Sequence, residues 1–152
     1  MRVPNDPPCA RRGYTLPEMM IAIVLSVLLV AMAGPATAKQ LGRGRVNQAA
    51  NIVAADLENA VTLAARSRKP IRITRATTTS FTVADRATGN VILRRELGSN
   101  TEWKVASVTF SNTTVDVFPA GMTSGSLTVT LTENGYSRQV RLTRAGLAQV
   151  VQ

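Results

Sequence analysis

The sequence predicts an α+β protein. It has one long N-terminal helix, with a membrane-spanning half and an amphipathic half, packed on an antiparallel β-sandwich or sheet domain. Three observations carry this. Residues 19–38 contain no charged side chain. Apolar residues then recur at helical spacing as far as Ala64. After Pro70 the apolar period changes to two.

The charge-free run is twenty residues long. At 1.5 Å rise per residue it spans about 30 Å, the hydrocarbon thickness of a bilayer. Within it, residues 21–30 have no polar face, only Ser26, so the run does not suit a soluble helix. Gly34-Pro35 is expected to bend or loosen it, since proline removes one backbone bond and crowds the preceding turn. The next stretch places Val46, Ala49, Ala50, Val53, Leu57, Ala60, Val61 and Ala64 on an apolar stripe. Gln48, Asn51, Asp56, Glu58, Asn59 and Thr62 fill the other positions. The helix is expected to run to about Arg68, weakened at Gly42 and Gly44 and stopped by Pro70.

Period-two segments follow at 71–74, 81–83, 127–132 and 139–142; residues 91–97 read as a further strand, and 103–110 and 115–118 are apolar-rich. Asn134-Gly135 lies between the last two strands and is a strong hairpin signal. Thr88-Gly89-Asn90 is a weaker one. Residues 77–80 and 111–114 read as loops. Threonine-rich outer faces imply an antiparallel sheet pair with the helix against one face.

Composition narrows the chemistry. The 152 residues include no histidine and one cysteine, Cys9. No His-based triad, His metal site or CxxC redox pair can be built, and Cys9 has no internal disulfide partner. Cys9 also precedes the apolar run, where a lipoprotein cysteine would follow one. Asp56 and Glu58 are two apart and so do not share a helix face for acid–base work. Gly42-Arg43-Gly44-Arg45 is not a nucleotide loop after a strand. No catalytic residue, cofactor or metal is expected.

Two readings of the N-terminus compete. Arg11 and Arg12 before the apolar run, and Ala36-Thr37-Ala38 at its end, fit an ordinary secretory signal cut after Ala38. Glu18 at the entry of the run is unhelpful to that reading. The order Arg11-Arg12-Gly13-Tyr14-Thr15-Leu16-Pro17-Glu18, running into an apolar helix, resembles the type IV prepilin leader. The resemblance implies cleavage between Gly13 and Tyr14 by a prepilin peptidase, N-methylation of Tyr14, and an assembly role for Glu18. In that role Glu18 attracts the N-terminal amine of a neighbouring subunit, an attraction that a low dielectric strengthens. Pro35 falls where many pilins have a helix-bending proline. Pro17 departs from the usual aliphatic residue, but it lies in the first helical turn, where its missing amide costs little.

The body resembles the H-type minor pseudopilins of type II secretion and the related T-type minor pilins. The residues that carry this are Leu63-Ala64-Ala65-Arg66-Ser67, Phe118-Pro119-Ala120-Gly121 and Arg141-Leu142-Thr143-Arg144-Ala145-Gly146. The resemblance implies a pilin-like fold and a structural role near the tip of a periplasmic filament that helps move folded proteins across the outer membrane. The expected organisation is a leader over 1–13, a transmembrane helix over 14–38, an amphipathic helix over 39–69 and a periplasmic β-rich domain over 70–152. The expected location is the bacterial inner membrane, single-pass. The expected partners are other pseudopilins or pilins in a hetero-oligomeric tip, and the prepilin peptidase. A minor pilin of a type IV pilus is the alternative, and a secreted β-domain starting at Lys39 is a third possibility.

The formal net charge is +9. Removal of residues 1–13 takes away Arg2, Arg11, Arg12 and Asp6, leaving fifteen basic against eight acidic residues, or +7. Such a surface can attract phosphates. However, Gly146 is followed by Leu147, Ala148 and Gln149, without the Gly-Arg-x-Arg pattern of DNA-binding T-type pilins. Trp103 and Tyr136 are too few for a base-stacking platform. The sequence argues against a nucleic-acid partner. The basic flank just after the apolar run is better read as meeting lipid headgroups.

Overall fold

The computed structural model describes residues 13–98 and 100–151, with the side chains of all of these except 33–36 and 38. Cys9, Arg11 and Arg12 lie outside the described residues. The chain divides into two units, Met1–Ala38 and Lys39–Gln152. One helix, α1 (Leu16–Ser67), contributes residues to both. Its helical backbone runs without a break through Gly34, Pro35, Gly42 and Gly44.

Two four-stranded antiparallel sheets follow. The first has the order β3-β2-β1-β5, from β1 (Ile71–Thr77), β2 (Ser80–Asp85), β3 (Val91–Glu96) and β5 (Thr114–Val117). The second has the order β4-β6-β7-β8, from β4 (Ser107–Phe110), β6 (Leu127–Glu133), β7 (Tyr136–Leu142) and β8 (Ala148–Val151).

The helical stripe becomes one side of the core. Val46, Ala49, Ala50, Val53, Leu57, Ala60 and Ala64 are buried, and Val61 is partly so. Alternation supplies the other side: Ile71 and Ile73 on β1, Phe81 and Val83 on β2, Val115 and Val117 on β5, and Leu127, Val129 and Leu131 on β6. All belong to a single cluster that also takes in Val108, Phe110, Val140 and Leu142. Each large side chain removed from water contributes about 1.5–3 kcal/mol. The alanines in the helical stripe leave room for the larger side chains of the strands.

The element ends have local causes. α1 stops where Arg68 enters the left-handed region at φ 54°, two residues before Pro70. Asn134 and Gly135 both have positive φ, 48° and 76°, the type I′ geometry that matches the twist of a two-residue hairpin. Glu133 pairs with Tyr136 across that turn. The structure departs from expectation at 103–110 and adds a strand, β8, that the sequence pattern does not predict. Only 107–110 of the apolar-rich stretch 103–110 is strand, because Lys104 takes a left-handed φ of 47° and breaks the extension. β8 pairs with β7 although it has no clean alternation, with Val150 and Val151 both exposed.

Two of the three body segments singled out in the sequence, 118–121 and 141–146, meet beside Val61 of α1. A Cβ at Gly146 would lie 2.1 Å from the Gly121 carbonyl oxygen and 3.2 Å from Val61 Cγ1. The amide of Thr123 donates to the Arg144 carbonyl at 2.9 Å, and its hydroxyl donates to the Thr143 carbonyl at 3.1 Å. The loop at 118–123 and the turn at 143–147 thus lock together beside α1. Gly146 also has φ 74°, which disfavours any side chain. Gly146→Ala is expected to destabilise the body by about 2–4 kcal/mol. Urea unfolding measures this; an unchanged midpoint would contradict the packing described.

Candidate functional site

The start of α1 carries the residues expected to act in processing and assembly. Gly13, Tyr14 and Thr15 precede the helix in irregular backbone. A Cβ at Gly13 would meet nothing within 4 Å, so packing in the fold does not require glycine there. Tyr14 is 79% exposed. Thr15 is the cap residue: its carbonyl accepts from the amides of Glu18 and Met19 at 3.1 and 3.2 Å. Glu18 Oε2 in turn accepts from the Thr15 amide at 3.4 Å. This is the carboxylate half of a capping box, and the spacing Thr15-x-x-Glu18 is its signal in the sequence. Glu18 therefore serves its own helix end, at the positive pole of the helix dipole, and also remains exposed.

Beyond it, every large apolar side chain from Leu16 to Met32 is more than half exposed, from 52% at Met19 to 81% at Met32. Among the described residues no helix is long and apolar enough to cross a membrane. The charge-free run 19–38 includes residues 33–36 and 38, whose side chains lie outside the description. An apolar surface of this extent, without a hydrophilic side, calls for a non-aqueous environment or other helices.

The charged residues of the body form clasps between its elements. Asp56, placed among the polar positions by the sequence, is 6% exposed. It accepts two hydrogen bonds from Arg95 on β3, at 2.6 and 2.9 Å. The Arg95 guanidinium also lies 5.8 Å from the centre of the Trp103 ring. The hydrogen bond to Asp56 holds the Arg95 pKa above its ordinary value. This clasp ties α1 to an edge strand of the first sheet. Sequence pattern alone could not show it, because helical spacing does not reveal that β3 turns a cation inward.

A second cluster joins β1, β5 and the β2–β3 turn. Asp116 accepts from Arg72 at 2.8 and 3.2 Å and pairs with Arg86 at 3.3 Å. Arg86 lies 5.9 Å from the Phe118 ring centre. Lys69 pairs with Asp85 at 3.9 Å. The basic residues around the helix–strand junction are therefore partly matched by acids. Those near the C-terminus divide. Arg138 donates to Asn47 of α1 at 2.9 Å, whereas Arg141 is exposed on the opposite face of β7. They form no common strip for a nucleic-acid backbone.

A polar cleft of about 260 Å³ lies among Thr77, Ser80, Glu96, Thr101 and Val105. It holds one carboxylate. Among the described residues no group of three His, Cys, Asp or Glu side chains could hold a metal ion.

A leader-type helix start, an exposed apolar helix and a helix-backed double sheet together define a prepilin-like subunit. The chain matches the prokaryotic N-terminal methylation motif over residues 9–34 and the model of Type II transport protein GspH over residues 49–146. It belongs to the GspH family, and is thus a minor pseudopilin with a prepilin-like leader. No curated protein sequence matches it. Two crystal structures of the Pseudomonas aeruginosa (strain PAO1) type IV minor pilin FimU share the fold. One has a TM-score of 0.60 at 17% identity, covering 72% of this chain and 90% of that one. The other, in a second crystal form, has 0.57 at 16% identity, covering 70% and 92%. The family and the fold are those of structural pilin and pseudopilin subunits.

Two predictions follow from the body. Asp56→Ala leaves the partly buried Arg95 without its carboxylate. It is expected to cost about 2–3 kcal/mol in chemical unfolding, less than the ~3–5 of a fully buried pair, since part of Arg95 reaches solvent. Acid should also weaken the body. The Arg72 hydrogen bond holds the Asp116 pKa below its ordinary value, with the charges of Arg72 and Arg86 adding and burial opposing. The Ala87 amide does the same for Asp85. Both groups bind protons less readily when folded. Their contribution is therefore full above the ordinary carboxylate pKa of about 4 and is lost as pH falls through the lower folded values. The thermal midpoint should hold from neutral pH to about 5 and fall below about 4, with a shallower acid limb in Asp116→Asn. A midpoint independent of acid would contradict this.

Proposed function

We propose that this chain is a structural subunit of the type II secretion pseudopilus, anchored in the bacterial inner membrane by the first half of α1 with its β-rich body in the periplasm. The prepilin peptidase cuts between Gly13 and Tyr14, and Tyr14 becomes the N-methylated first residue of the mature chain. Glu18 then stands four residues from a new positive amine. In the assembling filament it exchanges its contact with the Thr15 amide for the amine of a neighbouring subunit.

The observation that carries this is the union, in one chain, of the methylation motif over 9–34 with the GspH match over 49–146. Two features support the site assignment. Gly13 fills no packing need, which suits a residue required by a processing enzyme. Glu18 is exposed at the helix start, where a partner can reach it. The role is non-catalytic, and the partners are the other pseudopilins of a hetero-oligomeric tip. A minor pilin of a type IV pilus is the second reading, supported by the fold it shares with such a pilin; the identity of the filament partners separates the two.

The test is intact mass and N-terminal peptide analysis of protein recovered from membranes, combined with two substitutions. Wild type should begin at methylated Tyr14. Gly13→Val should accumulate uncleaved. Glu18→Val should be cleaved normally yet disappear from cross-linked filament complexes. A mature product beginning at Lys39 would overturn the assignment.

A further inference from the structure

The hairpin joining β6 and β7 reaches back to the first turns of α1 within the body. A Cβ at Gly42 would lie 3.6 Å from Asn134 Nδ2 and 3.8 Å from Glu133 Cγ. The Tyr136 hydroxyl donates to Asn47 Oδ1 at 3.1 Å, and Arg138 Nε donates to the same oxygen at 2.9 Å. The Arg43 guanidinium lies over the Tyr136 ring, 5.6 Å from its centre. Lys39, Arg43 and Asn47 are spaced four apart and so line one side of the helix. Lys39, Arg43 and Arg138 form no ion pair among the described residues. The hairpin's own acid is Glu133, which faces Gly42 and whose Oε2 is buried without a hydrogen-bond partner. The result is a basic collar with an amphipathic aromatic at its centre.

Lys39 is the first charge after the apolar run and, on the anchoring proposed above, marks the edge of the hydrocarbon. Gly42 lies three residues further, about 4–5 Å along the helix axis. The polar layer of each leaflet is about 5–8 Å deep. The hairpin tip beside Gly42 therefore falls at headgroup depth. We propose that the β6–β7 hairpin and the Lys39–Arg43 side of α1 form a second membrane contact, which binds the phosphates of anionic phospholipids. Guanidinium groups suit phosphate oxygens, and a negative leaflet attracts each cation within a Debye length. Tyr136 has the amphipathic character found at membrane interfaces. The contact would fix the tilt of the body against the bilayer before the subunit leaves it.

The proposal rests on the membrane anchoring, and the experiment separates the two. Full-length mature protein is reconstituted into vesicles of phosphatidylcholine, with or without phosphatidylglycerol. A fluorophore is placed at Ser137→Cys beside the hairpin tip, or at Met122→Cys in the loop at the level of Val61. Quenching by a headgroup-attached nitroxide lipid reports proximity. The Ser137 label should be quenched well above the Met122 label, more so with phosphatidylglycerol, and high salt should remove the increment. Lys39→Gln with Arg43→Gln should lose the increment while retaining the thermal midpoint. Equal quenching at both positions in vesicles that float with bound protein would overturn the collar but leave the anchor standing. Quenching at Ser137 indifferent to lipid charge would also overturn it, and would turn attention to an acidic neighbouring subunit. Failure of the protein to float would overturn both.

Discussion

The constraint on which everything else depends is the apolar pattern of α1. From Leu16 to Met32 the helix exposes large apolar side chains on every side. From Val46 to Ala64 it buries one stripe. A helix of the second kind finds its partner within its own chain, here the two sheets. A helix of the first kind finds none there, so its partner must come from outside. The break in pattern falls where Lys39, Arg43 and Arg45 bring in charge. The two functions of the chain, anchoring and presenting a folded body, are therefore two hydrophobic patterns written along one element.

The body secures its hold on α1 in three places. The apolar stripe supplies most of the energy. The Asp56–Arg95 clasp fixes α1 against the β3 edge, and Asn47 gathers Tyr136 and Arg138 from β7. These polar contacts lie on different strands of different sheets, so they set the register of the helix against the whole sandwich. At the far end of the helical stripe, Gly146 and Gly121 meet beside Val61.

Much of this was legible in the sequence because hydrophobic period is a direct consequence of geometry. The helical stripe, its stop near Pro70, the Asn134-Gly135 turn and the central strands all follow from period, φ preference and turn chemistry. What was not legible depends on contacts distant in sequence. Asp56 is three residues after Val53 and four before Ala60, at the margin of the buried stripe; its carboxylate is accommodated there because Arg95 comes to it from 39 residues away. β8 lacks alternation because it is a short edge strand with one row of neighbours. At the helix start, the type of site was readable from Gly13, Tyr14 and Glu18. The Thr15-x-x-Glu18 cap was also written there, hidden by the stronger leader pattern around it.

The central claim is that the exposed apolar half of α1 finds its partners in a membrane and then in neighbouring subunits. The most direct measurement is photo-cross-linking from a single probe at Leu25, which is 55% exposed in the middle of that half, in intact cells. The account predicts adducts with phospholipid and with the N-terminal helices of other pseudopilins, identified by mass spectrometry. Probe-bearing protein recovered only as a short peptide separate from a free body that begins at Lys39, with no filament partner attached, would contradict it.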